Sequence, residues 1–391
     1  MRPRMAVLLV LVLLSACAPR PEDGLHPWSR LTLDWGARRE GALTIYANTG
    51  DLEMGPLLEA FRHDHPGLKV TFTRENSAEL HARYLAEMKA GRPSADLVWS
   101  SAMDLQVKLI NDGYAQTYLP PDRAALPKWA IWKNQGYGVT AEPIVFAYDR
   151  RRLAPALAPR SHAALRAALE HGDLKGPVAT FDPARSSVGL LYYSQDRLAW
   201  ADTLALNRAI GASQPRLYES TATLLDGLTA GDAVLGYNVV GSYALERRKI
   251  DPNLEIIFPS DYTLVMSRIA FISARAEHPN AARLFLDFLL SRRGQALLAS
   301  RSLTPVRQDL NGGGVAKPPA EAARPIDVGP ALLANLDQMR RARLVAEWRA
   351  AIGAHRTDDY RRVLDIPKSG ALISPAPTLN RPPAHSPVPA G

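Results

Sequence analysis

At roughly 150 residues per domain, a chain of 391 residues is expected to form two domains rather than one. Hydrophobic residues at 47% and charged residues at 22% exclude a disordered chain, because there is enough apolar material to offset chain entropy. The formal net charge of +8, from 47 basic and 39 acidic residues, is scattered without a run of five or more, which speaks against a nucleic-acid partner.

Arg2 and Arg4 precede an apolar stretch over residues 5–14, and the small residues Ser15 and Ala16 follow, which is the order of a secretory signal. The apolar run is too short for a bilayer-spanning helix, which needs about twenty residues. Cys17, the single cysteine, ends Leu14-Ser15-Ala16-Cys17, a motif similar to the bacterial lipobox, whose cysteine is diacylated and becomes the new N-terminus. Ala16 and Ala18 also form an A-x-A site for ordinary signal peptidase, and that alternative stays open. Residues 1–17 are expected to be a lipoprotein-type signal peptide and 18–40 a tether, with the membrane contacted through the lipid anchor only.

Strands and helices then alternate. Residues 43–47 read as a buried strand, ended by the turn formers Asn48-Thr49-Gly50-Asp51. Leu57, Leu58 and Phe61 mark a helical face that Pro66-Gly67 terminates, and residues 69–73 alternate like a strand. A helix over about 77–90 carries Leu80, Tyr84, Leu85 and Met88; residues 96–99 form a third strand, followed by a helix with Leu105, Leu109 and Ile110. Helices between short apolar strands imply parallel pairing in an α/β domain. A second α/β set follows: strands at 144–148, 178–181, 233–237, 254–258 and 263–266, helices near 163–169, 188–210 and 219–229, then an amphipathic helix over 281–290. A last amphipathic helix is expected over 330–352, through Leu332, Leu336, Met339 and Trp348, and the Pro-rich residues 366–391 read as disordered.

Motifs of enzyme chemistry are missing: there is no P-loop, no G-x-S-x-G, no H-E-x-x-H, and Gly312-Gly313-Gly314 has no strand before it. No enzyme activity, cofactor or metal is expected. His63, Asp64 and His65 have metal-ligand character, but at the exposed end of a helix they read as a solvated turn favoured by the helix dipole.

In open α/β sheets, ligands bind beyond the carboxyl ends of the strands, often against a helix N-terminus. Four segments meet that description. Asn48, Thr49 and Gly50 follow the first strand and Ser100 and Ser101 the third; helix capping alone would call for the same residue types. Asp182, Arg185, Ser186 and Ser187 follow residues 178–181 and suit a phosphate or carboxylate. Tyr237, Asn238 and Ser242 sit where another strand passes into a helix, and Tyr237 could face a cleft or be core.

Together, the lipobox-like leader, Thr44-Ile45-Tyr46-Ala47-Asn48-Thr49-Gly50, Ala95-Asp96-Leu97-Val98-Trp99-Ser100-Ser101, Phe181-Asp182-Pro183, Gly236-Tyr237-Asn238 and Pro259-Ser260-Asp261-Tyr262 resemble the periplasmic solute-binding proteins of ABC importers, in their ferric-iron, phosphonate and phosphoglycerate branch. The stretch from Pro279 through Phe285-Leu286-Asp287-Phe288-Leu289-Leu290-Ser291 to Gly294-Gln295 resembles a segment of the same family. The resemblance implies an α/β, two-lobed periplasmic binding protein fold of type II, with a ligand cleft between lobes joined by crossing strands. On that basis residues 41–145 form lobe 1, 146–262 lobe 2, and 263–365 a return to lobe 1 with C-terminal helices; Tyr148 and Asp261-Tyr262 fall near the expected crossovers. Ferric-binding members carry adjacent tyrosines after the strand that here ends at Tyr237-Asn238, where this chain has Val239-Val240-Gly241-Ser242; Tyr192-Tyr193 lies earlier and reads as packing. The resemblance is nearest to the phosphoglycerate transport regulatory protein type. It implies capture of a small anionic solute, an organophosphate or phosphonate, by a monomer that partners ABC permease subunits. Signalling to a sensor kinase periplasmic domain, and ferric-iron binding, are the alternatives.

Overall fold

The computed structural model describes residues 27–353. The expected signal peptide, the lipidation at Cys17 and the Pro-rich tail lie outside these residues.

The first sheet contains strands β1 (Ala42–Ala47), β2 (Lys69–Arg74), β3 (Leu97–Ser100), β4 (Ile131–Trp132), β5 (Gly136–Gly138) and β12 (Ile269–Ile272), in the order β2-β1-β3-β12-β5-β4. β1 pairs in parallel with β2 and β3, whereas β12 runs antiparallel to β3. The parallel strands need crossover helices, supplied by α2 (Asp51–Asp64) and α3 (Ser77–Lys89); α4 (Met103–Asn111) follows β3. Leu43 and Ile45 bury one face of β1 beneath Met54, Leu57 and Phe61 of α2, the helical spacing legible in the sequence.

The second sheet is built on β6 (Glu142–Asp149), β7 (Val178–Phe181), β8 (Arg216–Tyr218), β9 (Leu235–Val240), β11 (Thr263–Met266) and β13 (Ala323–Pro325), in the order β13-β11-β6-β9-β7-β8, with β10 (Leu254–Ile257) also paired to β6. Helices α5 (His162–Glu170), α6 (Ser187–Ala199), α7 (Thr203–Ala212), α8 (Thr221–Ala230) and α9 (Gly241–Ile250) belong to this half. Beyond β12 the chain continues into α10 (Pro279–Leu290) and α11 (Arg292–Ser300) of the first lobe, and α12 (Gln338–Ile352) packs on α7 of the second.

The chain therefore passes between sheets at β5–β6, at β11–β12 and once more between α11 and β13, so the two strand-to-strand crossings lie at residues 139–141 and 267–268 and the third spans residues 301–322. Tyr148 is not at a crossover: it stands near the far end of β6, paired with Leu235 and Glu255. Two other expectations are corrected. Residues 27–40, expected within a tether, form helix α1 (Pro27–Glu40), because Leu33 and Ala37, one turn apart, bury themselves against the cluster of Phe285 and Leu289 of α10. The Glu40 carboxylate also accepts the Asn280 and Ala281 backbone N–H groups at the start of α10. The helix expected over 330–352 is broken: Pro330–Asn335 is a short 3₁₀ turn, and Asp337 caps α12 by accepting the Arg340 N–H. Met339, expected on the apolar face, is 84% exposed.

Asp96 fastens the first lobe. Its buried carboxylate accepts the Thr44 N–H at 2.7 Å, the His278 N–H at 2.8 Å and a bond from His278 Nδ1 at 2.9 Å, joining β1 to the entry of α10. Phe285 of α10 is fully buried, edge-on to Phe61 at 5.0 Å. Phe285→Ala should therefore cost about 3–5 kcal/mol of unfolding free energy, measured by urea denaturation.

The 3₁₀ turn at 330–335 packs on both α4 of the first lobe and α6 of the second, and Asn335 donates to Ser194 Oγ at 3.0 Å. Beside it, burial pushes the Asp104 carboxyl of α4 up to about 6. An unfolded aspartate titrates near about 3.9, so between these values the folded chain holds more protons and stability falls as pH rises. Asp104→Asn should flatten unfolding stability between about pH 4 and pH 6 and make the protein more stable than wild type at neutral pH. An unchanged pH profile in thermal denaturation would contradict this assignment.

Candidate functional site

The carboxyl ends of β1, β2 and β3 lead into α2, α3 and α4, and those of β7, β8 and β9 into α6, α8 and α9, so six helices begin at the two sheet edges. Their caps differ. Asn76 caps α3, Ser186 caps α6 and Ser220 caps α8, each through its side chain. α2, α4 and α9 have no side-chain bond from the N-cap residue; at α4 the Met103 N–H donates to the Ser101 carbonyl and the Leu105 N–H to Asp104 Oδ1, whereas α2 and α9 leave backbone N–H groups for solvent or a ligand.

At the first-lobe edge the polar side chains bind one another. Asn48 Nδ2 donates to Ser77 Oγ at 2.7 Å and to Ser101 Oγ at 2.6 Å, while its Oδ1 accepts the Ser101 N–H at 3.1 Å. Ser100 Oγ lies 3.3 Å from Ser77 Oγ and accepts the Ala102 N–H. Thus Asn48, Ser100 and Ser101 come together, and none of them serves as a helix N-cap. Gly50 precedes α2 in extended conformation, and Thr49 is buried toward the crossing strands.

The second-lobe residues divide. Asp182 is buried and accepts the Ala184 N–H at 2.9 Å, shaping the turn that delivers Ser186 to cap α6; Ser187 opens that helix, half-buried. Arg185, 39% exposed, forms an ion pair with Glu219. Tyr237 and Asn238 both donate to Asp196 Oδ2, at 2.8 and 2.7 Å, and Tyr262 donates to Oδ1 at 2.9 Å. Asn238 does this from a left-handed backbone, φ 61°, at a bulge where two residues of β9 oppose one of β6. Burial raises the Asp196 carboxyl above the usual range, and the three donors oppose that shift. Tyr237 also packs on Phe146 and His162, so its side chain belongs to the lobe interior.

Ser242 points to the crossover. It donates to Glu142 Oε2, and Glu142 Oε1 accepts the Thr140 hydroxyl at 2.9 Å. Arg268, which the sequence reading missed, binds both oxygens of that carboxylate, Nε at 2.8 Å and Nη2 at 3.2 Å, while its Nη1 reaches Thr49 Oγ1 at 3.4 Å. The Tyr243 ring lies 5.6 Å from the guanidinium carbon. Arg268 is 2% exposed and Glu142 0%; burial pulls the Arg268 pKa down, but Glu142 and Tyr243 more than reverse this and keep it charged. A charged residue placed between the apolar runs 263–266 and 269–272 was the available signal. Nearby, a cavity of about 210 Å³ is lined by Leu52 and Glu53 of α2 and by Tyr243, Glu246 and Arg247 of α9.

His63 is bonded to Asp64 at the exposed end of α2, and His65 lies 3.7 Å from Asp34. Among the described residues no cluster of three or more His, Cys, Asp or Glu side chains is arranged to hold a metal. Tyr192 is buried against Phe181, whereas Tyr193 donates to Glu347.

Residues 57–323 match a family described as "Bacterial extracellular solute-binding protein". The substrate-binding protein of an ABC transporter from Agrobacterium tumefaciens is 34% identical, with TM-score 0.73 over 80% of this chain and 94% of that one. Iron-bound HitA from Pseudomonas aeruginosa is 20% identical, TM-score 0.64, over 79% and 99%. AfuA from Actinobacillus pleuropneumoniae, with fructose-6-phosphate bound, is 20% identical, TM-score 0.61, over 80% and 98%.

Because removal of one partner strands a buried charge, Arg268→Met should lose about 3–5 kcal/mol of unfolding free energy, and Arg268→Met with Glu142→Met should recover most of it. Equal losses in the single and double variants, by urea denaturation, would contradict the pairing.

Proposed function

The chain belongs to the bacterial extracellular solute-binding proteins, of the kind that serve ABC transporters, and from that premise we propose that it captures a small anionic solute, an organophosphate or phosphonate, in the cleft between its lobes. Members of this family bind solutes rather than transform them, and act outside the cytoplasm. The observation that carries the ligand class is the pair of uncapped helix starts at Asp51 and Gly241, one from each lobe. Each presents backbone N–H donors and the positive end of a helix dipole, which suit an oxyanion. The joined side chains of Asn48, Ser77, Ser100 and Ser101 add neutral donors at the same edge.

Glu53, lining the interlobe cavity, offers a counter-charge to an amino group such as that of an aminophosphonate. AfuA and HitA represent a sugar phosphate and iron as two ligand classes on this fold. The phosphate class is favoured here because Tyr192 is buried in packing and Tyr193 is engaged with Glu347. Capture would proceed by a shift from an open to a closed arrangement, the closed form docking on ABC permease subunits. The same reading holds the protein as a monomer, anchored through a lipid on Cys17.

A thermal-shift series with phosphoglycerates, hexose phosphates, 2-aminoethylphosphonate, inorganic phosphate and ferric citrate tests this. A ligand at a hundred times its Kd adds about 2.7 kcal/mol, a rise of several degrees in Tm. Stabilisation by a phosphate ester or phosphonate is expected, with affinity lowered about tenfold or more by Asn48→Ala. Stabilisation by ferric citrate alone would overturn the reading.

A further inference from the structure

Helix α1 (Pro27–Glu40) turns one side to the first lobe and leaves the other uncovered. Leu33 and Ala37 bury against α10. At about 100° per residue, Leu31, Thr32, Trp35, Arg38 and Arg39 fall within an arc of about 120° on the opposite side, and all five are exposed. Leu31 is 61% exposed and Trp35 62%, so no packing role inside the lobe accounts for a leucine and a tryptophan one turn apart in water. The Arg39 guanidinium carbon lies 4.7 Å from the centre of the Trp35 ring and joins this apolar pair to the basic end of the helix.

The charge on that face has one sign. Asp34 lies 3.7 Å from His65 and Glu40 binds the start of α10, so both carboxylates of the helix are turned to the protein. Among the described residues no carboxylate pairs with Arg38 or Arg39. The helix dipole favours cations at this end, but it does not call for the tryptophan and leucine beside them. An apolar stripe that runs into cations is the chemistry of a helix lying in the headgroup region of a bilayer, where Trp and Leu enter the acyl boundary and Arg meets phosphate.

Chain length brings the helix to such a surface. Pro27 stands ten residues beyond Cys17, a span of at most about 35 Å when extended. A lipid on that cysteine would keep α1 beside the bilayer, where even a weak surface affinity is effective. The other end of α1 passes through Gly41 into the start of β1, at the sheet edge opposite the polar loops, which leaves the cleft edge free.

We propose that α1 lies on the membrane through Leu31, Trp35, Arg38 and Arg39, with an anionic phospholipid surface as its partner. This goes beyond solute capture; its reach rests on the lipid-anchored reading, whereas the affinity of the face for phospholipid does not. The anchor holds the chain, and α1 sets which side of the first lobe faces the bilayer.

The test uses the leader-free chain from residue 17 with Cys17→Ser, which carries no lipid and keeps every described residue. Its co-sedimentation is measured with vesicles of equal parts phosphatidylglycerol and phosphatidylcholine, and with vesicles of phosphatidylcholine alone. Binding to the anionic vesicles that falls as salt rises, and none to the neutral ones, is expected. Leu31→Ala with Trp35→Ala should weaken it about tenfold or more, and Arg38→Gln with Arg39→Gln about thirtyfold or more. Both double variants should keep the wild-type Tm, because the side chains they change are exposed. A chain that ignores the anionic vesicles, or either double variant binding them as tightly as wild type, overturns the proposal. Self-association that Trp35→Ala abolishes, without vesicle binding, would give the face to a second copy and overturn it as well. Palmitate labelling of the full chain in cells reads the anchor separately: label with no vesicle binding would leave the anchor standing and the surface overturned, and vesicle binding with no label would do the reverse.

Discussion

The bidentate pair between Glu142 and Arg268 sits where the chain crosses between the sheets, and the relation of the two lobes depends on it. Glu142 opens the long strand of the second sheet, whereas Arg268 precedes the strand that closes onto the first. Ser242 and Thr140 satisfy the carboxylate, while Thr49 and Tyr243 border the guanidinium, so groups from both lobes meet at one charge pair. Buried ion pairs cost nearly as much to desolvate as they return. Their value at a crossing is geometric, because a charge that is well satisfied in one arrangement resists sliding into another.

Around that point the parallel strands do the positioning. In each sheet their carboxyl ends open into helices at one edge, and chain connectivity alone delivers the polar loops there. Capping then sorts the helices into two kinds. Those started by Asn76, Ser186 and Ser220 are satisfied by their caps and the one at Met103 by Ser101 and Asp104, whereas those starting at Asp51 and Gly241 have no side-chain cap. Capping and ligand binding draw on the same residue types, so the sequence alone could not tell them apart, and the hydrogen bonds show which of these residues cap a helix.

Much of the fold was legible because its signals are local. The periodicity of Leu57, Leu58 and Phe61, the stop at Pro66-Gly67 and the apolar face of α10 each arise within a few residues. Helix α1 is not legible in the sequence because, among its described side chains, only Leu33 and Ala37 bury firmly, and their partner lies hundreds of residues later in α10. The site was legible as loops but not as contacts. Asn48 meets Ser77 29 positions away, Asn238 meets Asp196 42 away, and Arg268 meets Glu142 126 away. Tyr237 reads equally as cleft or core from its neighbours in sequence, and only Phe146, His162 and Asp196 around it show which residues its side chain meets.

In the proposed function, two lobes hinged at one buried charge pair close on an anionic solute. Small-angle X-ray scattering on the protein, with and without a saturating amount of the phosphate ester or phosphonate that binds it most tightly, tests this directly. Closure should give the bound protein a smaller radius of gyration. An unchanged radius on saturation would contradict it, since the solute would then be held without bringing the lobes together.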